Sequence, residues 1–142
     1  PSEFWVGVKY YQGTQSPNNA EREALGYSSA WLHHKGRNRH HYEYWLDYTA
    51  TGKRGEIVPV PMPDRYIAEM LADRIAASKI YSGKSYTDDA PLKYYLKGSE
   101  HAPLHPYTRE ILERFLYMLA EKGEKETFAY IRTFLKQKHT MK

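Results

Sequence analysis

Two histidine doublets, His33-His34 and His40-His41, sit within the 18-residue stretch Trp31 to Tyr48 and account for four of the seven histidines in the chain. On one straight helix the doublets would lie roughly 10.5 Å apart, at about 1.5 Å per residue. Nitrogens that share a metal lie about 2.0 to 2.1 Å from it, so the doublets can converge only if the chain turns between them. Gly36 and Asn38 are the residues best suited to that turn, because glycine tolerates positive φ freely and asparagine does so better than most. The pattern predicts a helix ending near Lys35, a short turn, and a second helical piece starting near His40 and running on through the aromatic stretch Tyr42 to Tyr48.

A chain of 142 residues is long enough to bury a single core without covalent staples. It contains no cysteine, which excludes disulfides, thiolate metal sites and cysteine nucleophiles. No apolar run approaches membrane-spanning length and no signal-peptide pattern opens the chain, so a soluble cytoplasmic protein is expected, without a membrane partner. The net charge of +4 suits an anionic ligand and falls short of a nucleic-acid footprint. Fourteen tyrosines point instead to rings that are half buried or line a groove. Pro1 stands where a methionine would be and already reads as part of a helix turn, so a chain trimmed at its N-terminus is expected.

Local patterns fill in the rest. Ser2 to Gln12 reads as a short helix, and Ser16-Pro17-Asn18-Asn19 opens another that carries Leu25 and Leu32 on one face. Residues 49–63, with Gly52, Gly55, Pro59, Pro61 and Pro63, read as one irregular loop that covers a site, with at most a short extended piece near Ile57. Asp64 to Tyr81 is the most regular helix, with Ile67, Leu71 and Ile75 on one stripe and Asp73 on a second face with Tyr66, Met70, Ala77 and Ile80. Thr87 is expected to cap a helix ending at Gly98, and Thr108 a helix ending at Gly123. A last helix follows, with Phe128, Ile131 and Leu135 facing Ile111, Phe115 and Leu119. The expectation is one all-α domain over residues 1–142, of about six helices.

The histidines and Asp73 are, by residue type and order, candidate metal ligands: His33, His34, His40, His41 and Asp73. Nitrogen and carboxylate donors without sulfur suit Zn, Mn, Fe or Ni. The competing readings are histidines that cap helix ends and an Asp73 held in a structural ion pair, with Lys79 as one partner. His101 and His105 read as loop residues. Lys35, Arg37, Arg39 and Arg74 lie close enough in sequence to the ligands to hold an anionic substrate, or else form a solvated rim. Histidine ligation requires neutral rings, so metal uptake should weaken below about pH 6.5.

The run His33-His34-Lys35-Gly36-Arg37-Asn38-Arg39-His40-His41-Tyr42-Glu43-Tyr44-Trp45, followed by Met62-Pro63-Asp64-Arg65-Tyr66 and Ala72-Asp73-Arg74-Ile75-Ala76-Ala77-Ser78, resembles an uncharacterised bacterial family of small helical proteins related to the HD-domain metal-dependent phosphohydrolases. The resemblance spans nearly the whole chain, and the paired doublets with Asn38 between them are its most specific part. It implies an HD-like helical fold in which His33 or His34, with His40 and His41, ligate metal or contact phosphate. Asp73 would be the closing ligand, and Asn38 and Glu43 would orient the rings. The sequence departs from that pattern in lacking any His-Asp dipeptide, the motif that gives HD domains their name. The chain as it stands is therefore expected to bind metal weakly or not at all and to be inactive.

The function predicted is hydrolysis of a nucleotide or other small phosphate ester by a bound divalent ion, with homodimerisation left open. Two alternatives come from other classes. One is a nucleic-acid or anion-binding module built on the basic and aromatic Lys35 to Tyr48 stretch, which Glu43 and Asp47 disfavour by repelling phosphate. The other is a helical domain with no catalytic role.

Overall fold

In the computed structural model, residues 22–26, 38–49 and 56–137 are described. The chain divides into two compact units, Pro1–Arg39 and His40–Lys142. In the first, residues 22–25 form a helical turn that Gly26 interrupts at φ 86°, its N–H donating to the Arg22 carbonyl at 2.7 Å. Of the long helix expected to end near Lys35, only residues 22–26 are described, and Gly26 leaves the helical region; the rest of that helix lies outside the described residues. The expected helix from Ser2 to Gln12 lies outside the described residues.

The second unit is mostly helical and contains a small sheet, which corrects the all-α expectation. Tyr42–Trp45 is a single 3-10 turn, and strands β1 (Leu46–Tyr48) and β2 (Ile57–Pro59) pair antiparallel, with Leu46 opposite Pro59 and Tyr48 opposite Ile57. The aromatic helix expected over Tyr42 to Tyr48 is instead a 3-10 turn followed by strand β1, while the short extended piece allowed near Ile57 within the expected loop is present as β2. The β-branched Ile57 and Val58 favour extended backbone. Pro59 is tolerated because it closes a strand of a two-stranded ribbon, where no further strand needs its missing N–H. Backbone bonds from Thr49 N–H to Glu56 and from Val60 N–H to Trp45, 3.0 and 2.9 Å, extend the ladder at both ends.

Three helices follow: α1 (Asp64–Ser82), α2 (Ala90–Gly98) and α3 (Pro106–Lys136). A short 3-10 turn, Gly83–Ser85, separates α1 from the connection to α2. Helix α3 is bent at Gly123, where φ 85° and ψ 174° leave the helical region. The stop read there from sequence becomes a kink between two helical halves. The positive φ favours glycine there, and a Cβ at Gly123 would also press the Asp88 carboxylate, at 3.3 Å.

The core lies among these helices. Ile67, Met70, Leu71 and Ile75 of α1 join Leu92 and Tyr95 of α2, and Ile111, Leu112, Phe115, Leu116, Leu119, Ile131 and Phe134 of α3. The stripe expected on α1 is the one buried. On the last half of α3 it is Phe134 rather than Leu135 that turns inward, its ring edge-on to Phe115 at 5.5 Å while Leu135 is exposed. Thr108 does not cap α3. The helix starts two residues earlier, at Pro106, where the His105 Nδ1 accepts the Tyr107 N–H and proline suits the first helical position. The buried Thr108 hydroxyl accepts the Met62 N–H at 3.0 Å, tying the approach to α1 onto α3.

The start of α2 also differs from expectation. The residue before it is Asp89, and the Thr87 hydroxyl bonds to the Asp89 carboxylate rather than to a helix N–H. No helix among the described residues is long and apolar enough to cross a membrane.

Candidate metal centre

Aromatic packing positions the centre. The Trp45 and Tyr66 rings lie 5.8 Å apart, and Tyr42, Trp45 and Tyr66 all pack against the core, which pins the 3-10 turn beside α1. Asp73 follows Tyr66 by seven residues, two helical turns, so it rises from the same face about 10.5 Å farther along. On the opposing segment, His40 and His41 precede the 3-10 turn, and the Tyr44 N–H donates to the His41 carbonyl at 3.1 Å. Consecutive side chains of an extended strand point to opposite sides. The turn at residues 39–41 lets both rings face the same way, with centroids 4.7 Å apart.

The two imidazoles meet the two oxygens of one carboxylate. His40 Nε2 lies 3.8 Å from Asp73 Oδ1 and His41 Nε2 lies 3.7 Å from Asp73 Oδ2. These separations are too long for hydrogen bonds. Two ligands each about 2.1 Å from one ion can be at most about 4.2 Å apart, so both distances are compatible with a shared ion. One donor atom from each of the three residues can be chosen so that all lie within 4.8 Å of one another. Closing the widest gap takes a shift of about half an ångström. The His40 Nε2 is shielded from water while the Asp73 side chain is 44 % exposed, so the cluster opens outward on the carboxylate side.

Of the residues singled out in the sequence, the structure thus brings together His40, His41 and Asp73. His33, His34, Lys35 and Arg37 lie outside the described residues. Asn38 and Arg39 are described but belong to the first unit. Lys79 does not pair with Asp73, because its ammonium binds Glu124 at 3.0 Å. The Glu43 charge acts on Tyr42 and Arg74.

Arg74 stands next to Asp73 on α1 but faces different neighbours. Its guanidinium lies 5.7 Å from the centre of the Tyr95 ring, and its Nε is buried with no hydrogen-bond partner. Burial pushes the guanidinium below the usual arginine range, opposed by Tyr42, Tyr95, Glu43 and Tyr94. Burial likewise raises the Tyr42 hydroxyl, with Glu43 reinforcing and Arg74 opposing. The sequence reading missed this tyrosine surround. The adjacent pair Tyr94-Tyr95, which puts one ring inward and one outward on a short helix, was the available signal.

The second unit is thus a helical domain that presents two imidazoles and a carboxylate to a common point. The chain belongs to the family of unknown function DUF5662, whose model matches residues 1–118. No curated protein and no solved structure matches it. Membership of an uncharacterised family is what the sequence led us to expect.

Proposed function

We propose that His40, His41 and Asp73 form the divalent-metal centre of a phosphohydrolase related to the HD-domain enzymes, acting on a nucleotide or another small phosphate ester. The observation that carries the reading is the convergence of the two Nε2 atoms on the two oxygens of Asp73. Donors of this kind suit Zn, Mn, Fe or Ni, and three protein ligands leave positions open for water and for a substrate oxygen. A divalent ion held there would neutralise phosphoryl charge and make a water acidic enough to attack phosphorus near neutral pH. The residues' own part is to hold the ion where the exposed side of Asp73 admits a ligand, while the packed Trp45 and Tyr66 rings keep the histidine segment in place.

Because the His-Asp dipeptide of HD domains is missing from the sequence, the affinity expected is weak and turnover slow or absent. Metal binding is therefore the primary readout. Calorimetric titration of the 142-residue chain with Mn²⁺ or Zn²⁺ should show binding that falls by about tenfold or more in Asp73→Asn and His41→Ala. A positive result would be followed by p-nitrophenyl phosphate hydrolysis with and without chelator. Unchanged affinity in both variants, or no uptake by the parent chain, would overturn the assignment.

A further inference from the structure

The three candidate ligands come from two parts of the second unit that are held to different degrees. Asp73 rises from α1, where Met70, Leu71 and Ile75 on either side of it in the chain are buried in the core. His40 and His41 lead into the 3-10 turn and the ribbon, and none of the described residues from 38 to 61 is buried. Tyr42 and Trp45 reach the core half-buried, while Tyr48 and Ile57, paired across the two strands, are 72 % and 56 % exposed. A two-stranded ribbon with so little buried surface has little stability of its own.

An ion changes that balance. The donor atoms lie within 4.8 Å of one another, whereas ligands of one ion are at most about 4.2 Å apart, so binding draws them together. Helix α1 is fixed by its packing, and the closure falls to the histidine segment. From there backbone bonds lead into the ribbon: the Tyr44 N–H donates to the His41 carbonyl at 3.1 Å, the Val60 N–H to the Trp45 carbonyl at 2.9 Å, and the Thr49 N–H to the Glu56 carbonyl at 3.0 Å. What fixes His41 therefore fixes the turn, and the turn aligns both strands.

We propose that the ion is a clasp: bound between His40, His41 and Asp73, it fastens the 3-10 turn and strands β1 and β2 onto α1. Metal occupancy then sets how often the ribbon opens, while the three-helix core keeps its own stability. By linkage the ribbon in turn sets metal affinity, because its closed form is the one that presents both imidazoles to the carboxylate. The inference rests on the metal reading and is independent of hydrolysis.

Hydrogen exchange of the full chain, followed by mass spectrometry with and without Mn²⁺ or Zn²⁺ at a hundred times the dissociation constant, reads the effect. The amides of Leu46 to Tyr48 and of Ile57, Val58 and Val60 belong to no ligand. They should exchange up to about a hundredfold more slowly with metal, the factor by which that concentration favours the bound form. The amides of Ile111 to Leu119 in α3 should not change. Asp73→Asn, at the same metal concentration, should lose about tenfold or more of the ribbon's protection. The reciprocal test leaves the ligands intact. Val60→Pro deletes the bond to the Trp45 carbonyl at a position already flanked by Pro59 and Pro61, and should bind metal about threefold to tenfold more weakly, with α3 exchanging as in the parent chain.

Metal uptake with unchanged exchange in the ribbon, slowing that extends equally to α3, or a Val60→Pro affinity equal to that of the parent would each overturn the clasp. No uptake by the parent chain is a different failure, which removes the metal centre and the clasp with it. Metal-dependent protection without phosphate-ester turnover would support the clasp and count against hydrolysis.

Discussion

Two arginines flank the same tyrosine, and they are held in opposite ways. Arg109 of α3 donates to the Ser99 carbonyl, the Ala102 carbonyl and the Tyr95 hydroxyl at 2.8, 2.8 and 3.1 Å, with Glu113 4.0 Å away. It ties the end of α2 to α3 and satisfies carbonyls that the helix end leaves open. Arg74 sits over the ring of that tyrosine, yet its buried Nε has no partner. The first arrangement is complete within the fold and is what a structural arginine looks like. The second leaves one buried donor unsatisfied and has no carbonyl or carboxylate to bind among the described residues, so less of the fold depends on it.

The contrast predicts opposite signs on stability. Arg109→Met strands the Ser99 carbonyl, removes one of the two donors to the Ala102 carbonyl and breaks the polar contact to Tyr95, and should lower unfolding free energy by about 3 kcal/mol, measured by urea denaturation at pH 7. Arg74→Met removes a charge whose Nε is buried and unpartnered, and should leave stability unchanged or raise it by about 1 kcal/mol. If Arg74→Met were as damaging as Arg109→Met, the contrast would fail and Arg74 would be structural. Gly123→Ala should lie between the two, at about 2 kcal/mol of destabilisation. It forces alanine into positive φ and pushes a methyl against Asp88.

How much of this could be read from sequence depends on which forces act at each place. The α1 stripe Ile67, Leu71 and Ile75 was legible because a helix buried on one face writes its period into the chain. The kink at Gly123 was legible because glycine marks a backbone position other residues avoid. Leu46 to Tyr48 was misread as the continuation of a helix: its aromatic spacing suits either state, and what decides is pairing with Ile57 to Pro59, which lies beyond any local window. The pairing of Phe134 rather than Leu135 with Phe115 depends on how the bend at Gly123 rotates the last half of α3. At the site, residue types and order identified His40, His41 and Asp73 as candidates. They could not show that the Arg74 Nε is buried without a hydrogen-bond partner, because a missing contact is a property of the assembled interior and leaves no trace in composition.

The smallest effect expected concerns the tyrosine shared by both arginines. Burial, assisted by the hydrogen bond to Glu113, pushes the Tyr95 hydroxyl from 10.0 up to about 12, while Arg109 acts in the other direction. A group whose folded pKa is raised contributes stability that is complete below the unfolded value and is lost as pH climbs through the folded one. The Tyr95 contribution should therefore be intact at pH 7 and decline between about pH 10 and pH 12. Tyr95→Phe removes both hydroxyl contacts and should cost about 1 kcal/mol at pH 7. Measured by urea midpoints at pH 7, 10 and 11, the gap between the parent chain and Tyr95→Phe should narrow as the unfolded parent begins to ionise and the folded parent does not. A gap that stays constant across that window would mean the fold does not hold the Tyr95 proton, and the Arg109 side of the contrast would rest on its two carbonyl contacts alone.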